Sequence, residues 1–490
     1  MSTASEATSW ASVRETHAGI VFLVGDRAYK VKKPVDLGFL DFTDPAERDR
    51  ACRSEVELNR RLAPDVYLGT AEVVGPGTER ETIVVMRRMP DDRRLATLIE
   101  QGADVTATVR QLAELMATFH ARAERGPLID AEGTGDALRR RWYSSIDQVR
   151  PFQGAVLDHR IFAAIEGHVT TFLAGRTALF DHRVAEGKIV DGHGDLLAAD
   201  IFALDDGPRV LDCLDFDDRL RWLDVLDDLA FLAMDLERLG APQLAAELLR
   251  GYRRATDDES CAALRHHYIA YRAFVRCKVA CLRHAQGDAT AADRARADAE
   301  LTLRNLERAE VRLILVGGLP GTGKSTLAGA LAESLGARVI SSDHTRKELA
   351  GITGEHGAPA AFEEGIYTPS RTDATYREML RRAGTLLSVG ESVILDASWH
   401  AHAHRELARE LASRAHARLI QLRCEAPAEV MAERLRIRRS SISDATPAIA
   451  ARMTEHTDPW PDAYIIDTVA DPLRAAAAAL DRCGPGPRAL

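Results

Sequence analysis

The chain has 490 residues, 46% of them hydrophobic and 28% charged, with a formal net charge of −10. That length allows two to four domains, each with its own core, and the composition is that of an ordinary globular protein. The charge excludes a protein that grips nucleic acid along a basic surface: residues 311–490 hold 22 basic and 22 acidic residues, so the whole acidic excess lies in residues 1–310.

The opening stretch MSTASEATSWASVRETH has no basic start followed by an apolar run. No stretch approaches the roughly 18 apolar residues of a membrane span, and the expected location is the cytoplasm. The seven cysteines, at 52, 213, 261, 277, 281, 424 and 483, form no CxxC pair and no metal-ligand spacing. Reduced thiols are expected.

GIVFLV (19–24) and RAYKVKK (27–33) read as two strands around a Gly25-Asp26 turn. ACRSEVELNRRLA (51–63) reads as a helix and ETIVVMRRM (81–89) as a strand. Helical patterns run from about 104 to 186 and again to about 309, around a mixed segment, 189–217, that holds HGDLLAADIF and VLDCLDF. At 311 the pattern changes. VRLILVGG, ARVIS, ESVILDAS (391–398) and ARLIQLRC (417–424) are apolar runs of the kind buried in parallel sheets, with helical segments between them. The expected architecture is an α+β domain over 1–295, a helical linker over 296–310 and a doubly wound α/β domain over 311–490.

Gly318-Leu-Pro-Gly321-Thr322-Gly323-Lys324-Ser325 matches GxxxxGK[ST] in full, after a buried-strand pattern and before a helix that includes Thr326. Glycines there let backbone N–H groups turn toward phosphates, and the helix start adds a positive field. Lys324 would reach the β- and γ-phosphates of ATP, and Ser325 would ligate Mg2+.

This half resembles the small P-loop kinases, in particular phage polynucleotide kinases, zeta toxins and chloramphenicol-phosphotransferase-like enzymes, over about 311–460. The resemblance implies roles for further residues. In ISSDHTRKEL, Asp343 would accept the proton of the acceptor hydroxyl and Arg346 would hold the substrate; Asp343 is equally a residue type that caps helices. Asp396, in VILDAS, would hold Mg2+. Arg434 and Arg438, four apart in ERLRIRR, would clamp the transferring phosphate, with Arg436 and Arg439 as the alternative pair and a solvated basic face as the rival reading. Thr446-Pro447 reads as a helix cap and first residue.

Residues 1–290 resemble the aminoglycoside phosphotransferase and choline kinase group, which shares the protein-kinase fold. The resemblance implies a phosphate-binding Lys30, in AYK, paired with Glu55; Lys32 points to the same face of the strand and stays open. It implies Asp195, in HGD, as base, and Asp200 and Asp212 as metal ligands, with Asp215 a second candidate. Asp224 and Asp228 would support the loop or cap a helix. Two departures stand out: Asp200 replaces the group's Asn, and Leu197 replaces a residue that is usually basic. Three carboxylates would then crowd one site, which should bind nucleotide only with a divalent ion. The whole chain resembles bacterial two-domain proteins that join these two halves.

Two further patterns carry less. His400, His402 and His404 lack a recognisable further ligand for a metal, and Cys277 and Cys281 read as buried structural thiols. The leading expectation is an ATP- and Mg2+-dependent kinase with a small-molecule hydroxyl acceptor, its chemistry in the P-loop half. The alternatives are phosphorylation of an aminoglycoside- or sugar-like substrate by the N-terminal half, with the P-loop half regulatory, and an ATP-dependent switch or toxin-like regulator. The acceptor, an oligonucleotide end included, and the choice of ATP or GTP stay open.

Overall fold

The hairpin read at 19–33 is set by its turn. Gly25 takes φ +58°, a value that favours glycine, and β2 (Gly19–Val24) pairs antiparallel with β3 (Arg27–Lys32), Val21 opposite Lys30. The computed structural model describes residues 11–15, 19–35, 41–74, 80–352, 365–437, 452–469 and 471–486. Among them, β1 (Ala11–Glu15), β2, β3, β4 (Tyr67–Val74) and β5 (Arg80–Arg87) form an antiparallel sheet in the order β1-β2-β3-β5-β4.

The helix read at 51–63 spans Pro45–Arg60. Its start lies earlier because Asp44 caps it, accepting the Ala46 N–H at 2.9 Å, and Pro45 supplies a fixed φ in the first turn. Cys52 and Val56 on this helix join Leu23, Ala28, Val84 and Met86 of the sheet in one apolar cluster. The segment 189–217 breaks into short pieces: β6 (Ile189–Asp191), then β7 (Ile201–Leu204) and β8 (Gly207–Val210) as a hairpin. β6 pairs with β9 (Trp222–Asp224), which leads into the helix Val225–Arg238.

In the C-terminal half, β10 (Arg312–Gly317), β11 (Arg338–Ser341), β12 (Val393–Asp396), β13 (Arg418–Glu425) and β14 (Tyr464–Asp467) form a parallel sheet in the order β11-β12-β10-β13-β14. Every residue of β10 is buried, as expected of a central parallel strand covered on both faces. The helices Lys324–Leu335 and Pro472–Cys483 share one apolar cluster with the sheet, through Leu327, Leu331, Ala476 and Ala479 against Ile314, Ile394 and Leu422. The doubly wound reading holds.

By packing, the chain falls into two compact units: Met1–Gly133 with Arg183–Glu259, and Thr134–His182 with Ser260–Leu490. The stretch 296–310, read as a linker, belongs to the helix Ala291–Arg308, which buries Ala295, Ala299, Leu301 and Leu306 and lies along the helix Ala262–Ala285. Its apolar stripe makes it part of a packed layer in the second unit, so the packing division does not fall where the sequence pattern changes. Among the described residues no helix is long and apolar enough to cross a membrane.

Candidate functional site

The phosphate cradle is built from backbone. β10 ends at Gly317, and the helix begins at Lys324. Gly318, Gly321 and Gly323 take φ of +140°, +87° and +85°. A Cβ on Gly318 would stand 2.7 Å from the Cys424 carbonyl oxygen, and one on Gly321 would stand 2.8 Å from that of Met431. Both conformation and space therefore demand glycine. Thr322 is buried and its hydroxyl donates to the Leu319 carbonyl at 2.8 Å, which ties the loop to itself. Lys324 is half-buried; Ser325 and Thr326 are exposed at the helix start.

The ends of three strands bring the neighbouring side chains alongside. Asp396 ends β12 in register with Val316 of β10 and Ser341 of β11, and it is 5% exposed. The helix Ser342–Leu349 has Ser341 as its N-cap, so Asp343 sits in the first turn and does not occupy the cap position. Its Oδ1 lies 3.2 Å from Arg346 Nη1, and the Arg346 guanidinium lies over the Tyr367 ring at 4.6 Å. Ser342 and Arg346 are buried around it.

Arg434, on the helix Ala428–Ile437, donates to the Thr468 carbonyl at 2.6 Å and to the Gly321 carbonyl at 3.4 Å. It thus ties the phosphate loop to the turn after β14. Arg436 is exposed and paired with Glu433. Arg438, Arg439, Thr446 and Pro447 lie outside the described residues. The three histidines diverge: His404 Nε2 meets Asp373 at 2.8 Å, His400 Nδ1 meets Ser398 Oγ at 2.9 Å, and His402 faces Glu406. Ser398 also meets the Tyr376 hydroxyl at 3.2 Å. A cavity of about 790 Å³ opens beside the loop at Gly318, Leu319 and Thr322.

The N-terminal site is built from side chains instead. Lys30 Nζ lies 2.8 Å from Glu55 Oε1 and 2.9 Å from Asp212 Oδ1. Lys32 also reaches Glu55, at 2.7 Å, and it holds Asp215 at 2.6 Å. Both lysines therefore converge on one fully buried glutamate, which leaves Asp212 with Lys30 and Asp215 with Lys32. Burial works against the Lys30 charge, but Asp212 and Glu55 outweigh it and raise its pKa well above the usual value. Asp212 sits at φ +63°, a conformation costing ~1–2 kcal/mol for a non-glycine residue. Its N–H donates to the Tyr67 hydroxyl at 3.2 Å, and the next N–H, of Cys213, donates to Asn59 Oδ1 at 2.9 Å.

The HGD loop hangs from the helix Val225–Arg238. Asp228, fully buried, accepts the N–H groups of His193 at 2.7 Å and Gly194 at 2.9 Å, and meets His120 Nε2 at 3.1 Å. Seven residues on, Asp235 accepts the Ala198 N–H at 2.9 Å. Asp224 divides from these: it caps the helix through the Leu226 N–H and pairs with Arg183. Burial alone would raise the Asp228 carboxyl, yet His120 and the His193 N–H hold it well below the usual carboxylate range. At Asp200 the balance goes the other way. Burial, then the charges of Asp212 and Asp195, push its pKa up to about 7. Arg94, which donates to the Ala199 carbonyl, and Lys30 are the nearby cations that oppose the rise.

Sequence reasoning passed over Tyr67, Asn59, His120 and Asp235. Asp235 left a signal, because Asp228 and Asp235 lie two helical turns apart in DDLAFLAMD. The other three left none, since their partners are far along the chain.

One family description matches, the AAA domain, over residues 313–459. An uncharacterized protein of Mycobacterium tuberculosis is 46% identical over 457 residues, covering 93% of this chain and 92% of that one, and an uncharacterized Mycobacterium bovis protein matches equally. Among solved structures, a sugar kinase from Janibacter sp. covers 35% of this chain and 94% of its own length, at 21% identity and a TM-score of 0.29. A choline/ethanolamine kinase family protein from Mesorhizobium loti covers 61% and 92%, at 15% identity and a TM-score of 0.38.

Proposed function

The chain belongs to one family with these mycobacterial proteins and carries an AAA domain over residues 313–459, and from that premise we propose an ATP-dependent phosphotransferase whose chemistry lies in the P-loop half. The acceptor is a hydroxyl of a small molecule. The observation that carries this reading is the Asp343–Arg346 pair, at 3.2 Å, on the helix that follows the sheet's edge strand β11. A nucleotide switch has no use for a carboxylate on the acceptor side; a kinase does.

In the proposed step the acceptor oxygen bonds to the γ-phosphorus while the bond from that phosphorus to the β–γ bridging oxygen breaks. The acceptor proton passes to Asp343, and ADP leaves. Lys324 and the loop N–H groups hold the phosphate charge throughout. Ser325, exposed at the helix start, and Asp396, buried at the end of β12, offer the hard oxygen donors that suit Mg2+, whose charge would offset that of the phosphates. Arg346 would orient the acceptor. Arg434, bound to two carbonyls, would hold the loop's shape, and a direct grip on phosphate would require it to release them.

The test is ADP release by the full chain with sugars, nucleosides, aminoglycosides and short oligonucleotides as acceptors, repeated with Lys324→Ala. Turnover that survives in the variant would move the chemistry to the N-terminal half. One observation favours that second reading: the Lys30–Glu55–Asp212 linkage is fully assembled, as a working phosphate-binding site requires. On that reading Asp195→Ala, and not Lys324→Ala, removes phosphorylation of an aminoglycoside- or sugar-like acceptor.

A further inference from the structure

We infer that the cavity beside the phosphate loop is the acceptor pocket, and that it takes a polyhydroxylated molecule carrying an ammonium group in preference to a phosphorylated one. The inference rests on the reading that the P-loop half does the chemistry. The cavity, of about 790 Å³, touches Gly318, Leu319 and Thr322 of the loop, so a molecule in it lies against the phosphate cradle. That volume is the size of a small-molecule site.

Position ties the cavity to the proposed base. His400 lines it and bonds Ser398, which also lines it; Ser398 in turn meets the Tyr376 hydroxyl, at 2.9 Å and 3.2 Å along the chain of contacts. Tyr376 interacts electrostatically with both Arg346 and Asp343. The Tyr376 hydroxyl thus joins the cavity wall to the neighbourhood of the acceptor-side carboxylate, which is not itself among the described lining residues.

The charge of the lining decides the class of occupant. Among the described lining residues the carboxylates are Glu425, Asp458 and Asp467, against one cationic side chain, Arg423. Arg423 is already paired with Glu425. Asp458 and Asp467 form no ion pair among the described residues and accept only backbone N–H groups, of His402 at 2.7 Å and of Val469 at 2.8 Å. Arg405 stands behind Asp458, with its guanidinium committed to the carbonyls of Trp399, His400 and Pro459. Burial lowers the His400 pKa, which disfavours a charged ring. Two carboxylates are thus left to face the occupant, and the hydroxyls of Ser398 and Thr457 add partners for a polyol. Among the described residues the lining is net negative, so it opposes a phosphate in this space and favours an ammonium group.

The experiment compares matched acceptors on the full chain with ATP and Mg2+: glucosamine, N-acetylglucosamine, glucosamine 6-phosphate and a 5′-hydroxyl oligonucleotide. The expected result is a kcat/KM for glucosamine about tenfold or more above the other three. Asp458→Asn and Asp467→Asn, both exposed and isosteric, should each raise KM for glucosamine several-fold, leave kcat nearly unchanged and leave N-acetylglucosamine unaffected. Equal use of the amine and its acetylated form, preference for the phosphorylated sugar or the oligonucleotide, or no turnover of the amine would each overturn the inference. Lys324→Ala is the separate control. If it leaves glucosamine turnover intact, the reading of the P-loop half as catalyst fails. If it abolishes turnover while the acceptors are used equally, only the pocket assignment fails.

Discussion

The two candidate phosphate sites are built on opposite principles. The P-loop cradle is local and mostly backbone: eight consecutive residues, three of them glycines at positive φ, make a concave row of N–H groups at a helix start. The N-terminal site is assembled from side chains on five separated segments, those carrying Lys30, Glu55, Asp195, Asp212 and Asp228, and buried charge holds it together. The first is designed to receive negative charge. The second already contains much of its own, and it would meet a phosphate group only by exchanging one set of ion pairs for another. A backbone cradle keeps its field at any pH, whereas a site made of carboxylates depends on which of them are ionised.

Four measurements would break or sharpen this contrast. The largest effect is expected from Lys324→Ala, which should remove nearly all ATP turnover, because no water replaces a cation fixed on the phosphates. Turnover near wild type would mean that the cradle binds without catalysing. Asp343→Asn should lower the transfer rate by roughly 10²–10⁴ while ATP affinity, read by equilibrium titration, stays within about twofold. Parallel loss of ATP binding would reassign Asp343 to metal or to structure.

Asp195→Ala should change the turnover of the whole protein by less than about twofold, since the crowded N-terminal site is expected to hold nucleotide only with a divalent ion. If any acceptor loses phosphorylation in this variant and keeps it in Lys324→Ala, the N-terminal loop is a live centre and the contrast is one of mechanism, not of activity.

The smallest effect concerns Asp200. Its pKa of about 7 exceeds that of an unfolded aspartate, which is about 3.9. Between those values the folded protein holds a proton that the unfolded chain has lost. Stability from this group is therefore complete below about pH 4 and is lost as the pH rises to about 7. In metal-free buffer the Tm of Asp200→Asn should exceed that of wild type by a margin that widens from about pH 4 to about pH 7 and then stays constant. That pKa shift corresponds to roughly 4 kcal/mol, so a margin on the order of 10 °C is expected at ~2–4 °C per kcal/mol in a domain of this size. A margin independent of pH would show that Asp200 is ionised throughout, its charge offset by Arg94 and Lys30.

Much of the molecule was determined by the sequence alone, wherever the cause was local. The turn at Gly25, the parallel strands announced by VRLILVGG and VILDAS, and the cradle at 318–325 each follow from the allowed φ of glycine or from continuous apolar runs. The pairing of Lys30 with Glu55 was also legible, through resemblance. Tertiary structure decided the rest. Lys30 and Lys32 share one strand face, and nothing in AYKVK says that Glu55 takes both while Asp212 and Asp215 divide them. Asp224 and Asp228 lie four residues apart on one helix start, yet one caps the helix and the other carries the HGD loop. The extent of the second unit was likewise hidden, because an amphipathic helix at 291–308 reads the same whether it links or packs. The physical reason is common to all three. A turn or a buried strand is fixed by the energies of its own residues, whereas the partner of a buried charge or an apolar stripe is fixed by whichever distant group the fold brings within a few ångströms.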